Sequence, residues 1–256
     1  MAMSSSGRFG DYLPVAARIA KGRQQAQQIA TRGGRNLAPV ASTGRDVAGS
    51  FWGQAWCRHL ERYSDIANRL SRGRTLLRNG SVVDLVITKG RVEALVCGST
   101  LYHITVTIVP AEPAQWRKLV ATCGGRIDSV VELLSGRISD AVMKVLTDPG
   151  QGLLPQPQLI SFVCSCPDAA RLCKHIAATL YGIGARLDAM PELLFVLRDV
   201  DPNDLVHAAV NAGAGALASP NPSLRLLAPE VVSELFGVQW DPSVPSKPRR
   251  SRKVKP

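Results

Sequence analysis

The feature that most constrains this chain is a short run dense in metal-ligand residue types, Cys164-Ser165-Cys166-Pro167-Asp168-Ala169-Ala170-Arg171-Leu172-Cys173-Lys174-His175. Its spacing is Cys-x-Cys, a spacer of six residues, then Cys-x-His. In an extended segment residues two apart point to the same side, so Cys164 and Cys166 can face one ion. Pro167 stops that strand, and Asp168 helps to cap the next turn. Cys173 and His175 open the apolar pattern Ile176, Ala177, Thr179, Leu180, Ile183 and Leu187, which has helical spacing. A loop between the two pairs can fold three thiolates and an imidazole into a tetrahedron. Four nitrogen or sulfur ligands with no open position suit one structural Zn2+. Two other readings stand beside this one: a disulfide, which a reducing compartment disfavours, and a redox or non-metal role for a chance cluster. Iron–sulfur ligation is disfavoured by the histidine in the fourth place and the lack of a further cysteine pair. Cys57, Cys97 and Cys123 have no metal-like spacing and read as small core residues.

At these residues the sequence resembles the SWIM zinc-finger family, whose signature is Cys-x-Cys, a variable spacer, then Cys-x-His. Cys164, Cys166, Cys173 and His175 match all four positions, within Cys-Ser-Cys-Pro-Asp and Cys-Lys-His-Ile-Ala. The wider chain is similar to bacterial SWIM proteins associated with Snf-type helicase-like ATPases. Phe51-Trp52-Gly53-Gln54-Ala55-Trp56-Cys57 and Gly125-Arg126-Ile127-Asp128-Ser129 carry that similarity, which spans roughly residues 51–188. Many relatives place an aromatic residue just after Cys-Pro-Asp, where this chain has Ala169. The resemblance implies a zinc-stabilised module for binding DNA or protein, a helicase-like ATPase as partner, and no catalysis.

The rest of the chain predicts an α+β fold: a small antiparallel β-meander, several helices, and a Cys3His finger leading into a helix. Residues 1–50, rich in Gly, Ser, Arg and Gln, read as a basic and largely flexible segment with a short helical stretch near Leu13 to Ala30. Residues 51–147 read as an α+β domain. Trp52, Trp56, Leu60, Tyr63, Ala67 and Leu70 mark one face of a single helix, with Arg58, Arg62, Arg69 and Arg72 on the other. Strands are expected over 81–87, 91–96 and 102–108, and short helices over 116–122, 128–134 and 139–146. Residues 148–190 hold the finger and its helix, which read as a separable module with few large apolar residues beyond Phe162, Leu172 and Ile176. A helical extension follows over 191–210. Residues 211–256 read as a linker, a short helix near 229–236 and a disordered basic tail.

Charge then narrows the partner. The net charge is +11, divided as +9 over residues 1–80, −4 over 81–246 and +6 over 247–256. Basic ends on a mildly acidic middle suit a polyanion such as DNA or RNA. Candidate contacts are Arg58, Arg62, Arg69 and Arg72, then Arg171 and Lys174 in the finger, and Lys247, Arg249, Arg250, Arg252, Lys253 and Lys255 in the tail. A solvated polar face and a solvated tail are the plainer readings. An aromatic content of 5% leaves few rings for stacking bases. The low aromatic count and the acidic middle also fit a protein–protein adaptor in which the finger is only a scaffold. No nucleotide-binding loop, Ser-His-Asp order or carboxylate pair stands out, and no small-molecule substrate is evident. His103 and His207 read as surface residues. No apolar run reaches the roughly 18 residues of a spanning helix. The Ser- and Gly-rich start lacks a hydrophobic signal core, which points to a cytoplasmic setting with nucleoid association open.

Overall fold

The computed structural model describes residues 13–42, 46–62, 64–124, 140–168 and 170–218. The expected helices near 128–134 and 229–236, the Gly125–Ser129 stretch and the basic tail lie outside these residues.

Three β-branched runs separated by turn residues form the meander: β1 (Val82–Thr88), β2 (Arg91–Cys97) and β3 (Leu101–Ile108). Thr88 pairs with Arg91 across the Lys89-Gly90 turn, where Gly90 takes φ +62°, a conformation that favours a residue without Cβ. A fourth strand, β4 (Ile160–Cys164), adds antiparallel to β3 and completes a sheet of order β1-β2-β3-β4. Ile104 lies opposite Cys164 and Val106 opposite Phe162, so β4 reaches the sheet with its first cysteine on the core-facing side.

The helices cover the two faces of this sheet unequally. On one face, Val92, Ala94, Val96, Ile104 and Val106 join the large core built by α2 (Phe51–Glu61), α3 (Ser64–Arg78) and α6 (Lys174–Ala189). On the other, Leu95, Cys97 and Val83 pack with Ala26 of α1 (Val15–Arg32). α4 (Pro113–Gly124) and α5 (Asp140–Leu146) lie between β3 and β4 in sequence, and α7 (Leu193–Arg198) and α8 (Asn203–Ala218) follow α6. Trp116 of α4 donates from Nε1 to Asp204 of α8 at 2.6 Å, and its ring meets Phe195 of α7 edge-on.

Among the described residues up to Val210, α6 is the central element. Its residues from His175 to Gly184 are all buried, and Leu187 extends that run. Trp56 of α2, fully buried, donates from Nε1 to the Leu180 carbonyl at 2.9 Å. Close approach to α3 depends on Gly73: a Cβ there would stand 2.5 Å from the Ala177 Cβ and 2.6 Å from Ala178 N.

The short helical stretch expected near Leu13 to Ala30 is present as α1, but it packs on the sheet rather than standing in a largely flexible segment. α1 contributes Gly22, Ala26 and Ala30 as a buried stripe of small residues, so a helix without large apolar side chains still docks closely. Residues 38–40 then run beside β1, with Val40 N bonded to the Val82 carbonyl and Leu85 N to the Ala38 carbonyl. This covers a sheet edge that would otherwise be open. The single helix expected from Phe51 to Arg72 is two helices, with a break after Glu61. The expected linker from 211 is helical as far as Ala218. Residues up to Val210 form one compact unit, so the division at 147/148 has no counterpart in the contacts: β4 belongs to the sheet and α6 fills its core.

Candidate metal centre

The Cys-x-Cys half is built by the end of β4. Cys164 is the last residue of the strand, and the His103 backbone fixes the next residue from both sides. Ser165 N donates to the His103 carbonyl at 3.0 Å, and His103 N donates to Ser165 Oγ at 3.0 Å. The Ser165 hydroxyl thus continues strand pairing up to the point where Pro167 ends it. The loop then folds back through an Asx turn, with Ala170 N donating to Asp168 Oδ1 at 3.1 Å.

The Cys-x-His half is built by the start of α6. Cys173 is the N-cap, and its sulfur accepts from Ile176 N at 3.5 Å. Sulfur therefore takes the place that a serine or aspartate oxygen usually holds at a helix start. His175 falls one residue into the helix, buried, with its ring 4.4 Å from that of Tyr102 on β3. Its Nδ1 is 3.8 Å from Cys173 Sγ. Its Nε2 is buried with no hydrogen-bond partner, facing Gly98, where a Cβ would come within 2.7 Å.

The ligand atoms of Cys164, Cys166, Cys173 and His175 all lie within 4.8 Å of one another. Tetrahedral bonds of about 2.3 Å to sulfur and 2.0–2.1 Å to nitrogen place neighbouring ligand atoms roughly 3.5–3.8 Å apart. A cation would draw the set together by about an ångström at most, without rebuilding the fold. No disulfide joins any of the six cysteines of the chain. The electrostatics fit a cation as well. Cys173 is pushed towards thiolate by the hydrogen bond from Cys164, helped by His175 and the Ile176 amide, against the opposing effect of burial. Cys164 is pushed the other way, by that same hydrogen bond and by burial. Without a cation the charge gathers on one sulfur; with one, the remaining thiols can ionise too. The donor set could hold a metal ion and would supply all four corners of a tetrahedron.

The other expected site residues divide by location. Arg58 is exposed on α2 and Arg62 exposed at its end, whereas Arg69 and Arg72 lie on α3. The single arginine stripe is therefore split between two helices. Arg69 is engaged by Asp168 of the ligand loop at 3.4 Å, each side chain 40% exposed. Arg171 and Lys174 are exposed beside the cluster. Lys247, Arg249, Arg250, Arg252, Lys253 and Lys255 lie outside the described residues. His103 and His207 are exposed, and Cys57, Cys97 and Cys123 are buried, in line with the sequence. Spacing does not reveal the parts supplied by distant segments: Tyr102 and Gly98 against the imidazole, and the His103–Ser165 bonds. Tyr102 is legible only as an inward residue of an alternating strand.

Fold and site together define the class: an α+β protein with a four-stranded antiparallel sheet and a Cys3His group suited to a metal ion. No helix among the described residues is long and apolar enough to cross a membrane. The chain is 32% identical over 213 residues to Uncharacterized protein Rv2102 of Mycobacterium tuberculosis, in an alignment covering 81% of this chain and 76% of that protein. The chain belongs to the family of Rv2102. No family model matches the chain, and no solved structure matches it.

Proposed function

We propose that the chain is a zinc-stabilised, non-catalytic module of the SWIM type that binds nucleic acid, DNA before RNA, beside a helicase-like ATPase. The observation that carries the zinc assignment is the convergence of three thiols and one imidazole within 4.8 Å, from a strand end and a helix start. The Cys-x-Cys and Cys-x-His halves are those of the SWIM signature, which supports that affiliation. The net charge of +11, concentrated before residue 81 and after residue 246, supports a polyanionic partner. The nucleic-acid role is tested by fluorescence anisotropy of the zinc-loaded chain with duplex DNA across a salt series. Phosphate contacts give an affinity that falls steeply with salt, by about 0.9 in the log–log slope per contact. Absence of binding at low salt sinks the nucleic-acid reading.

A protein–protein adaptor is the second reading. It draws on β4, the last strand in the sheet order, where Val163 is 70% exposed. Affinity purification with and without nuclease separates the two: a partner ATPase retained after nuclease treatment supports the adaptor, and one lost supports the nucleic-acid module.

A further inference from the structure

We propose that the cleft between the first half of α1 and the β2–β3 turn seats a backbone phosphate of duplex DNA, with Arg18 and Lys21 as its cationic contacts. The proposal rests on the nucleic-acid reading and names a surface for it.

α1 carries Arg18, Lys21, Arg23 and Arg32 and no acidic residue. Its small-residue stripe faces the sheet; Arg18 heads that same row one turn before Gly22, and Lys21 and Gln25 flank it. Lys21, Arg23, Gln24, Gln25, Gln27, Gln28 and Arg32 are exposed. Guanidinium, ammonium and amide groups are the donors that phosphate oxygens accept from. The face is not neutralised: among the described residues no carboxylate lies within ion-pair distance of these four cations.

The cleft itself has a volume of about 310 Å³ and is lined by Leu13, Arg18, Lys21 and Gln25 on one side and by Ser99 and Thr100 on the other. Arg18 is half-buried, and its Nε is buried with no hydrogen-bond partner. A guanidinium held half-buried in a cleft wall gives up less side-chain freedom on meeting an anion than one free in solvent. The turn is also held in place. Tyr102 OH and Ser99 Oγ are 2.6 Å apart, and Gly98 closes against Tyr102 and His175. One wall of the cleft thus stands on the metal centre, which fixes it before any ligand arrives.

The test uses the full, zinc-loaded chain and a labelled 20-base-pair duplex of arbitrary sequence, with anisotropy read across a salt series. Arg18→Gln with Lys21→Gln removes both contacts to that phosphate and flattens the log–log salt slope by roughly 0.9, the value for one phosphate. Gln25→Lys, at an exposed position of the same wall, steepens it by about 0.9. The second variant keeps the idea testable if the first misfolds. Wild-type slopes in both variants, with a flatter slope on deleting Lys247–Pro256, overturn the cleft and leave the nucleic-acid reading standing. No binding by the wild-type chain at low salt overturns both.

Discussion

Gly73→Ala decides whether the metal centre depends on the way α3 and α6 meet. On an open helix surface this change stabilises, because alanine is favoured over glycine by about 0.8–1 kcal/mol in a helix interior. Gly73 is not on an open surface. The added methyl would lie 2.5 Å from the Ala177 Cβ, 2.6 Å from the Ala177 carbonyl carbon and 2.6 Å from Ala178 N. Two of those atoms are backbone, so no side chain can swing aside and one helix must move. Overpacking of this kind costs roughly 1–3 kcal/mol. With backbone as the obstacle the upper part of that range applies, and after the gain in helix propensity a net loss of about 2 kcal/mol remains. At about 2–4 °C per kcal/mol for a domain of this size, Tm falls by roughly 4–8 °C. Ala177 is two residues beyond His175, so a displaced α6 also shifts the imidazole. Changes just outside a ligand set typically weaken metal affinity about 10–100-fold, and a loss near the lower end is expected. Thermal unfolding and zinc competition with a chromophoric chelator read the two effects. Gly33→Ala is the control, since nothing there comes closer than 3.4 Å to the new methyl. A Gly73→Ala protein as stable as the wild type, with unchanged zinc affinity, would refute the reasoning.

Elemental analysis of protein made with ample zinc is expected to show one zinc per chain, and Cys166→Ser combined with His175→Ala is expected to abolish it. Zinc is also expected to leave at low pH, because the ligands must be deprotonated to bind. His59 is buried and hydrogen-bonded through Nε2 to the Pro155 carbonyl at 2.9 Å, and burial lowers its pKa from 6.5. The unfolded chain therefore binds more protons than the folded one below pH 6.5, and stability falls as pH drops through that window. Urea midpoints at high and low pH are expected to differ less in His59→Gln than in the wild type. Asp84 is buried, pairs with Arg35 through both oxygens and accepts from Ala38 N at 2.9 Å. Asp84→Ala strands that amide and is expected to cost about 1–3 kcal/mol, the Arg35 side chain being 40% exposed and able to rehydrate. Denaturant titration checks it.

The meander is legible in the sequence because its three strands alternate or run β-branched and are divided by glycine turns; the observed limits lie within a residue of those expected. The ligand set is legible because sulfur and imidazole at fixed spacing carry their own chemistry. The break after Glu61 is not, because Trp52, Trp56, Leu60 and Leu70 keep helical spacing across it, and periodicity does not register a corner that preserves the inward face. The fourth strand is legible as an extended segment but not as part of the sheet, since nothing local tells Ile160–Cys164 that its partner is β3. α1 is undervalued for a related reason. Its packing surface is Gly22, Ala26 and Ala30, and small residues at four-residue intervals bury backbone rather than side chains. A reading that weighs large apolar residues sees only a polar helix.

That same weighting makes the finger look separable. Phe162, Leu172 and Ile176 alone would make a poor core for a free-standing module, yet the ligands occupy two of the least movable places in the fold. Cys164 ends a strand registered against β3, and Cys173 caps a helix whose middle is wholly buried. His175 is held between Tyr102 of β3 and Gly98 of the β2–β3 turn. A strand end and a helix start nine residues apart therefore meet a turn and strand about 60 residues earlier at one ion's width, and each is packed into the core. A metal ion bound in such a place would not create a fold from a disordered peptide. It would lock the junction between the sheet and its central helix, and through Gly98 and Tyr102 the turn that forms one wall of the basic cleft. The metal and the anion site would then be coupled by packing: whatever loosens His175 loosens Ser99 and Thr100 as well.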